Sequence, residues 1–245
     1  MMLRMRRVLV IAAWSWAIVG ASSAQGLPPR DDAMSQRVRA CTTCHGKEGR
    51  ASSEGYLPRI AGKPAGYVYN QLLNFRDGRR ANAAMQRLLD PLSEAYMREI
   101  AEHFAALDLP YPPPQVASMP AAMRERAQRL VHEGDPSRDV PACGRCHGKA
   151  LAGAQPAVPG LLGLPRDYLM AQLGAWRNGL RRAHAPDCMA TIARRIDDDD
   201  VVALATWLAA QAPPTSPAAP HESIEASSMP MACGMPDSTS GKSGK

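Results

Sequence analysis

One pattern occurs twice in this chain. Cys41-Thr-Thr-Cys44-His45-Gly46 returns as Cys143-Gly-Arg-Cys146-His147-Gly148. Downstream, residues 57–80 match residues 158–181 at a constant offset of 101: Pro58, Gly62, Pro64, Tyr67, Gln71, Leu72, Arg76 and Gly78 recur as Pro159, Gly163, Pro165, Tyr168, Gln172, Leu173, Arg177 and Gly179. A duplication of this length means two copies of one folding unit. The chain has 245 residues, only 5% of them aromatic and with two Phe. Units of under about 100 residues bury little apolar surface and usually need a metal, a disulfide or a cofactor to be stable. Something other than protein is therefore expected inside each copy.

The copies are bounded by segments of different composition. Arg4, Arg6 and Arg7 precede an uncharged, mostly apolar run from Val8 to Gly20, and Ser22-Ser23-Ala24 offers small residues for cleavage. That is an export signal over 1–24, too short for a comfortable membrane span. Losing its three arginines lowers the net charge from +6 to +3 and leaves no basic block, which removes the case for nucleic-acid binding. The first domain is expected over 25–109, a stiff proline-rich linker over 110–119, the second domain over 120–212, and a disordered tail rich in Pro, Ser and Ala over 213–245. Within each copy the patterns are helical. Helices are expected before each Cys-x-x-Cys-His (31–40 and 121–133), after Pro64 and Pro165, and after the N-caps Ser93 and Asp197. No strand pattern stands out. The expected fold is all-α, two tandem domains each wrapped round one cofactor.

Cys-x-x-Cys-His is the attachment signature of c-type haem. Its two thiols lie on one side of a helical turn, where each forms a thioether, and the adjacent imidazole ligates the iron. A single copy also suits a redox dithiol or half a zinc site. Two copies, at equivalent places in a duplication behind an export signal, favour two covalent haem c groups. Cys41, Cys44 and His45 hold one, and Cys143, Cys146 and His147 the other. The sixth ligand decides what the iron can do. Met85 and Met189 each precede the N-cap of the last helix by eight residues. Two methionines in register argue for ligation rather than core filling.

The order Cys-x-x-Cys-His-Gly, Pro-x-x-x-Gly, Tyr-x-x-x-Gln-Leu, Arg-x-Gly-x-Arg, Met and a terminal helix, present twice over 34–211, resembles the dihaem cytochrome c4 family. Val140-Pro141-Ala142 before the second motif also fits. The resemblance implies two cytochrome c folds about a pseudo-twofold axis with neighbouring haem propionates. It implies a periplasmic electron carrier, often membrane-associated, between a quinol-oxidising cytochrome bc complex and a terminal haem-copper oxidase. The long tail, the Cys beside the second Met and the proline-rich linker depart from the pattern.

Several residues carry two readings each. Tyr67 and Tyr168 either reach a propionate or pack on a ring. Arg79, Arg80, Arg181 and Arg182 either neutralise propionates or face solvent. His184, five residues before Met189, is a competing donor to the iron. Cys188 and Cys233 are left over, as a disulfide pinning the tail or as free thiols. Met229, Met231 and Met235 around Cys233 suit Cu(I) or simply a disordered tail. Three functions follow: a carrier between respiratory complexes; a dedicated electron acceptor of one periplasmic dehydrogenase; or an enzyme of the thiosulfate-dehydrogenase type, with Cys188 displacing Met189 as a thiolate ligand.

Overall fold

The computed structural model describes residues 30–51, 57–115, 118–213 and 222–234; the export signal lies outside them. Helices dominate. The first half contains α1 (Arg30–Arg37), α2 (Arg39–His45), α3 (Ala65–Arg76), α4 (Ala83–Leu89) and α5 (Glu94–Ala105). The second contains α6 (Ala121–His132), α7 (Gly144–His147), α8 (Arg166–Arg177), α9 (Cys188–Arg195) and α10 (Asp198–Ala210). Each half has its own core. Val38, Leu72, Met97, Ile100 and Phe104 centre the first, and Leu130, Val131, Leu169, Leu204 and Trp207 the second. The fold is two tandem all-α cytochrome c-type domains.

Local chemistry sets the helix starts. Pro64 and Pro165 stand immediately before α3 and α8, where their missing N–H costs nothing. Ser93 caps α5 by accepting from Tyr96 N. Asp197 and Asp200 cap α10 reciprocally, each carboxylate accepting the other's backbone N–H. Asp200 is fully buried and also takes hydrogen bonds of 2.6 Å from both Arg126 and Arg138. These contacts tie α10 to α6 and to the loop before the second Cys-x-x-Cys-His.

Three features differ from the sequence reading. Four two-residue strands form two antiparallel pairs in the second half, Gly134–Asp135 with Val140–Pro141 and Gly153–Ala154 with Val158–Pro159. They are too short to show a period-two pattern. The methionine segments, for which the sequence reading named no element, are the short helices α4 and α9. The tail is not disordered throughout. Residues 222–234 lie on the second half, held by backbone hydrogen bonds to Gln155 and Pro186 and by a Cys188–Cys233 disulfide. A covalent tie and backbone pairing order a segment whose composition offers no apolar core.

The linker is bound rather than free. The guanidinium of Arg59, 2% exposed, donates to the carbonyls of Leu109 and Pro110 and stacks on Tyr111 at 4.4 Å. Gln115 N donates to Ala209 O at 2.9 Å. The two halves also meet through a reciprocal bridge. Ala81 N donates to Leu180 O and Arg182 N to Arg79 O, both at 2.7 Å. The offset of 101 relates these two hydrogen bonds, so the contact has the local twofold that the duplication implies.

Asp200 gives a test of the second half. Burial alone would raise its pKa, but hydrogen bonds from Arg138, then Arg126, outweigh burial and hold it below the usual carboxylate range. The stability it contributes is complete above the unfolded value of about 3.9 and is lost as pH falls through the lowered native value. Asp200→Ala is expected to cost about 2–3 kcal/mol at neutral pH, through lost capping and two unpaired guanidinium groups. Asp200→Asn should also flatten the acid arm of stability against pH. Urea titrations across pH check both; an unchanged acid arm in Asp200→Asn overturns the assignment.

Candidate functional site

A continuous cavity of about 1070 Å³ runs between and into the two halves. Ligand pockets usually hold about 300–1,000 Å³, so this one is large. Cys41, Cys44, His45, Met85, Cys143, Cys146, His147 and Met189 all line it. The structure thus brings every sequence-derived site residue to one cavity, and adds several that the sequence did not single out.

Each imidazole is oriented by its second nitrogen. Nδ1 of His45 lies 2.9 Å from Pro58 O, and Nδ1 of His147 lies 2.8 Å from Pro159 O. A carbonyl only accepts, so each Nδ1 carries the proton and each Nε2 keeps a free lone pair. Burial is the main cause holding both pKa values below the usual histidine value, which favours the neutral, ligating form. The two prolines occupy equivalent positions in the repeat, so a carbonyl orients the imidazole in each half.

The cysteine thiols are not tuned as a redox dithiol. Burial raises the pKa of Cys41 and Cys146, and pushes Cys143 up to about 11. A reactive Cys-x-x-Cys needs the opposite shift. Among the described residues no group of three or more His, Cys, Asp and Glu side chains is placed to hold a metal ion. One imidazole and one thioether per half make too small a set for a bare ion and would suit an iron already held by a macrocycle.

Each methionine sits in the first turn of its short helix. Asn82 caps α4 by accepting from Met85 N at 3.0 Å, and Asp187 caps α9 by accepting from Ala190 N at 2.9 Å. The signal was present in the sequence, as an Asx residue two or three positions before each Met. His184 lines the same cavity with its Nε2 buried and unpartnered. Cys188 does not offer a thiolate, because it is bonded to Cys233. Met229 and Met231 face the cavity too.

The cavity carries buried positive charge. Arg80 donates to Gln71, Gln172 and Tyr168, and Arg181 donates to Gln172, Gln71 and Tyr67, all between 2.7 and 3.3 Å. Lys63 is 4% exposed and reaches only Gly160 O, at 3.4 Å. Burial, then repulsion from Arg59, lowers its pKa to about 8. Burial, then repulsion from Arg80, lowers that of Arg181. Burial would raise the Tyr168 pKa, yet Arg80 and Arg181 overcome it and bring the phenol down. Among the described residues no carboxylate pairs with these three cations. Buried cations lined only by neutral oxygens suit an anion with two or more carboxylates, as haem propionates are. The residues present therefore fit haem. Of the four arginines read from the sequence, Arg79 is instead paired with Asp77 at 2.8 Å, and Arg182 is exposed with a 3.5 Å contact to Gly78 O.

No family model matches the chain. It is 36% identical over 214 residues to the thiosulfate dehydrogenase electron acceptor of Thiomonas intermedia, a match over 87% of this chain and 94% of that protein. Its fold is similar to reduced cytochrome c4 from Pseudomonas stutzeri, with a TM-score of 0.63 and 25% identity, over 74% of this chain and 97% of that one. A thiosulfate dehydrogenase from Marichromatium purpuratum gives a TM-score of 0.59 at 32% identity over 72% of this chain, which spans 36% of that longer one. The enzyme reading does not survive, because the thiolate it needs is in a disulfide and the full-length relatives carry electrons. The chain belongs to the dihaem cytochrome c4-like family and is an electron carrier rather than an enzyme.

Proposed function

We propose that the chain holds two covalent haem c groups and passes electrons in the periplasm from a sulfur-compound dehydrogenase toward a terminal oxidase. Cys41 and Cys44 would anchor the first haem, and His45 and Met85 would hold its iron. Cys143 and Cys146 would anchor the second, with His147 and Met189. The domains are 25–109 and 120–212, joined by the linker 110–119 and preceded by an export signal. The observation that carries this reading is the single cavity lined by both motifs, both methionines, the buried cations Lys63 and Arg181 and the half-buried Arg80, none of them paired with a carboxylate among the described residues.

Bound haem supplies a one-electron couple at the iron. The residues of the chain do the rest. The carbonyls of Pro58 and Pro159 fix the tautomer and the orientation of the two imidazoles. Met85 and Met189 would hold the irons through thioether sulfur, which would leave no coordination site for a substrate and raise the potential. Arg80, Arg181 and Lys63 neutralise propionates and exclude water from the space between the halves.

The donor reading comes from the relative in Thiomonas intermedia, named for accepting electrons from thiosulfate dehydrogenase, with which this chain aligns nearly end to end. A dedicated acceptor role for one periplasmic dehydrogenase follows. A cytochrome bc complex is the alternative donor and a haem-copper oxidase the acceptor. Among the described residues no helix is long and apolar enough to cross a membrane; membrane association rests on the resemblance alone.

Intact-mass measurement is expected to show two haems per chain. The near-infrared charge-transfer band of Met-ligated ferric haem should have two equivalents, and Met85→Ala and Met189→Ala should each remove one. An undiminished band in Met189→Ala would overturn that ligand assignment. Purified thiosulfate dehydrogenase plus thiosulfate should reduce the protein faster than it reduces an unrelated monohaem cytochrome c; equal rates would remove the dedicated-acceptor reading.

Replacing both bridging guanidinium groups tests the propionate contact. Arg80→Gln with Arg181→Gln is expected to lower at least one reduction potential, since a buried positive charge favours the reduced iron. It should also split thermal unfolding into two transitions, because these side chains bridge the halves. A single unchanged transition with unchanged potentials would count against both roles.

A further inference from the structure

The two halves are duplicates, yet one cleft is crossed by a piece of chain that the other lacks. Residues 222–234 begin beside the imidazole side of the second half. Glu222 O accepts from Gln155 N at 2.7 Å, and Ile224 N donates to Gln155 O at 2.9 Å. The Glu222 side chain lies against Gly148, the residue after His147; a Cβ there would come within 2.9 Å of Glu222 Oε2. After a turn at Ala226–Ser228 the segment reaches the thioether side. There Gly234 N donates to Pro186 O at 2.8 Å, and Cys233 is bonded to Cys188, the residue before Met189. Between these attachments Met229 and Met231 line the cavity. The segment thus spans from the His147 lip to the Met189 lip. Gly234 is fitted to this path, because a Cβ would collide with the carbonyl oxygens of His184 and Ala185.

The equivalent face of the first half is open. Ala81, Asn82, Ala83, Ala84, Gln86, Arg87 and Leu88 are all exposed around Met85. In the second half Ala183, His184, Asp187, Cys188 and Met189 are partly covered, and only Ala185 and Pro186 between them are exposed. Among the described residues nothing crosses the first cleft. Ala84, the counterpart of Cys188 beside its Met, has no thiol with which to tie a strap.

We propose that residues 222–234 form a strap that closes the second haem crevice to solvent and to protein partners, so that electrons enter and leave through the first. The inference rests on the haem assignment above. Outer-sphere transfer needs close approach to a haem edge. The strap puts two methionine side chains and a disulfide-tied backbone where a partner would otherwise dock on the second domain. The second haem then exchanges electrons through its neighbour, across the Arg80–Arg181 contact. The duplication supplies two redox centres but only one port.

The test uses the full-length holoprotein, with photoreduced flavin mononucleotide as the electron donor. The wild type should show one reduction phase that rises linearly with flavin and a second that is independent of it. Met85→Ala, which alters the spectrum of the first haem, labels the phases. Two variants open the strap: Cys188→Ala with Cys233→Ala, which removes the disulfide without leaving a thiolate, and Gly234→Leu, which keeps the disulfide but blocks the seat. In both, the second phase should become flavin-dependent, and amide hydrogen exchange over 183–190, read by mass spectrometry, should accelerate. Two flavin-dependent phases in the wild type would overturn the proposal. So would a second phase that stays flavin-independent in both variants while exchange over 183–190 rises. Haem mass and the near-infrared band are read on the same samples. Fewer than two haems in the wild type would sink the haem assignment, a failure separate from that of the strap.

Discussion

Arg181 and Lys63, buried beside the half-buried Arg80 with no carboxylate partner among the described residues, are the constraint on which the arrangement of the halves depends. Arg181 is 5% exposed and Lys63 4%. Protein oxygens near them are amides, phenols and carbonyls, which solvate a cation but do not neutralise it. Burial is the main cause that lowers the pKa values of Arg181 and Lys63, with repulsion from Arg80 on the first and from Arg59 on the second adding to it. The chain alone is therefore incomplete at its own domain contact. The haem proposed above would complete it, and the same charges would make its seat specific to an anion. Cofactor binding and domain docking are, on this view, one event.

The duplication lets that charge be shared symmetrically. Arg80 reaches Tyr168 and Gln172 in the second half, while Arg181 reaches Tyr67 and Gln71 in the first. Each half supplies one arginine and receives one, so neither can rotate without breaking both sets. The backbone pairing of Arg79–Ala81 with Leu180–Arg182 holds the same register. A rigid contact of this kind suits electron transfer, whose rate depends steeply on a fixed separation, better than a flexible tether would.

Much of this was legible in the sequence because the duplication repeats the chemistry. The Cys-x-x-Cys-His pairs, Pro58 with Pro159, and Met85 with Met189 each confirm one another, and Ser93 and Asp197 mark helix starts by side-chain chemistry that needs no tertiary context. What was not legible depends on contacts distant in sequence. Arg79, Arg80, Arg181 and Arg182 look alike in the chain. Arg79 finds its acid partner Asp77 only two residues away, whereas only the fold leaves Arg80 and Arg181 facing the cavity from opposite halves. Lys63 drew no notice because Leu164 occupies the matching place in the repeat. The tail was read from composition as disordered, since its order comes from one disulfide and a few backbone hydrogen bonds rather than from apolar periodicity.

Cys188 shows how one residue can serve two arguments at once. As a free thiolate beside Met189 it would compete for iron, lower the potential and turn a carrier site toward sulfur chemistry. In the disulfide its sulfur has no charge to donate, and the same bond ties the strap over the cleft. The first half has Ala84 at the corresponding place and needs no such protection. The departure from the repeat thus does not add a catalytic group. It removes the second centre from direct contact with partners while leaving its ligation like that of the first. On the proposed ligation, two like irons with unequal access would form a chain with a defined entry, whereas two equal ports would let partners exchange electrons with either centre.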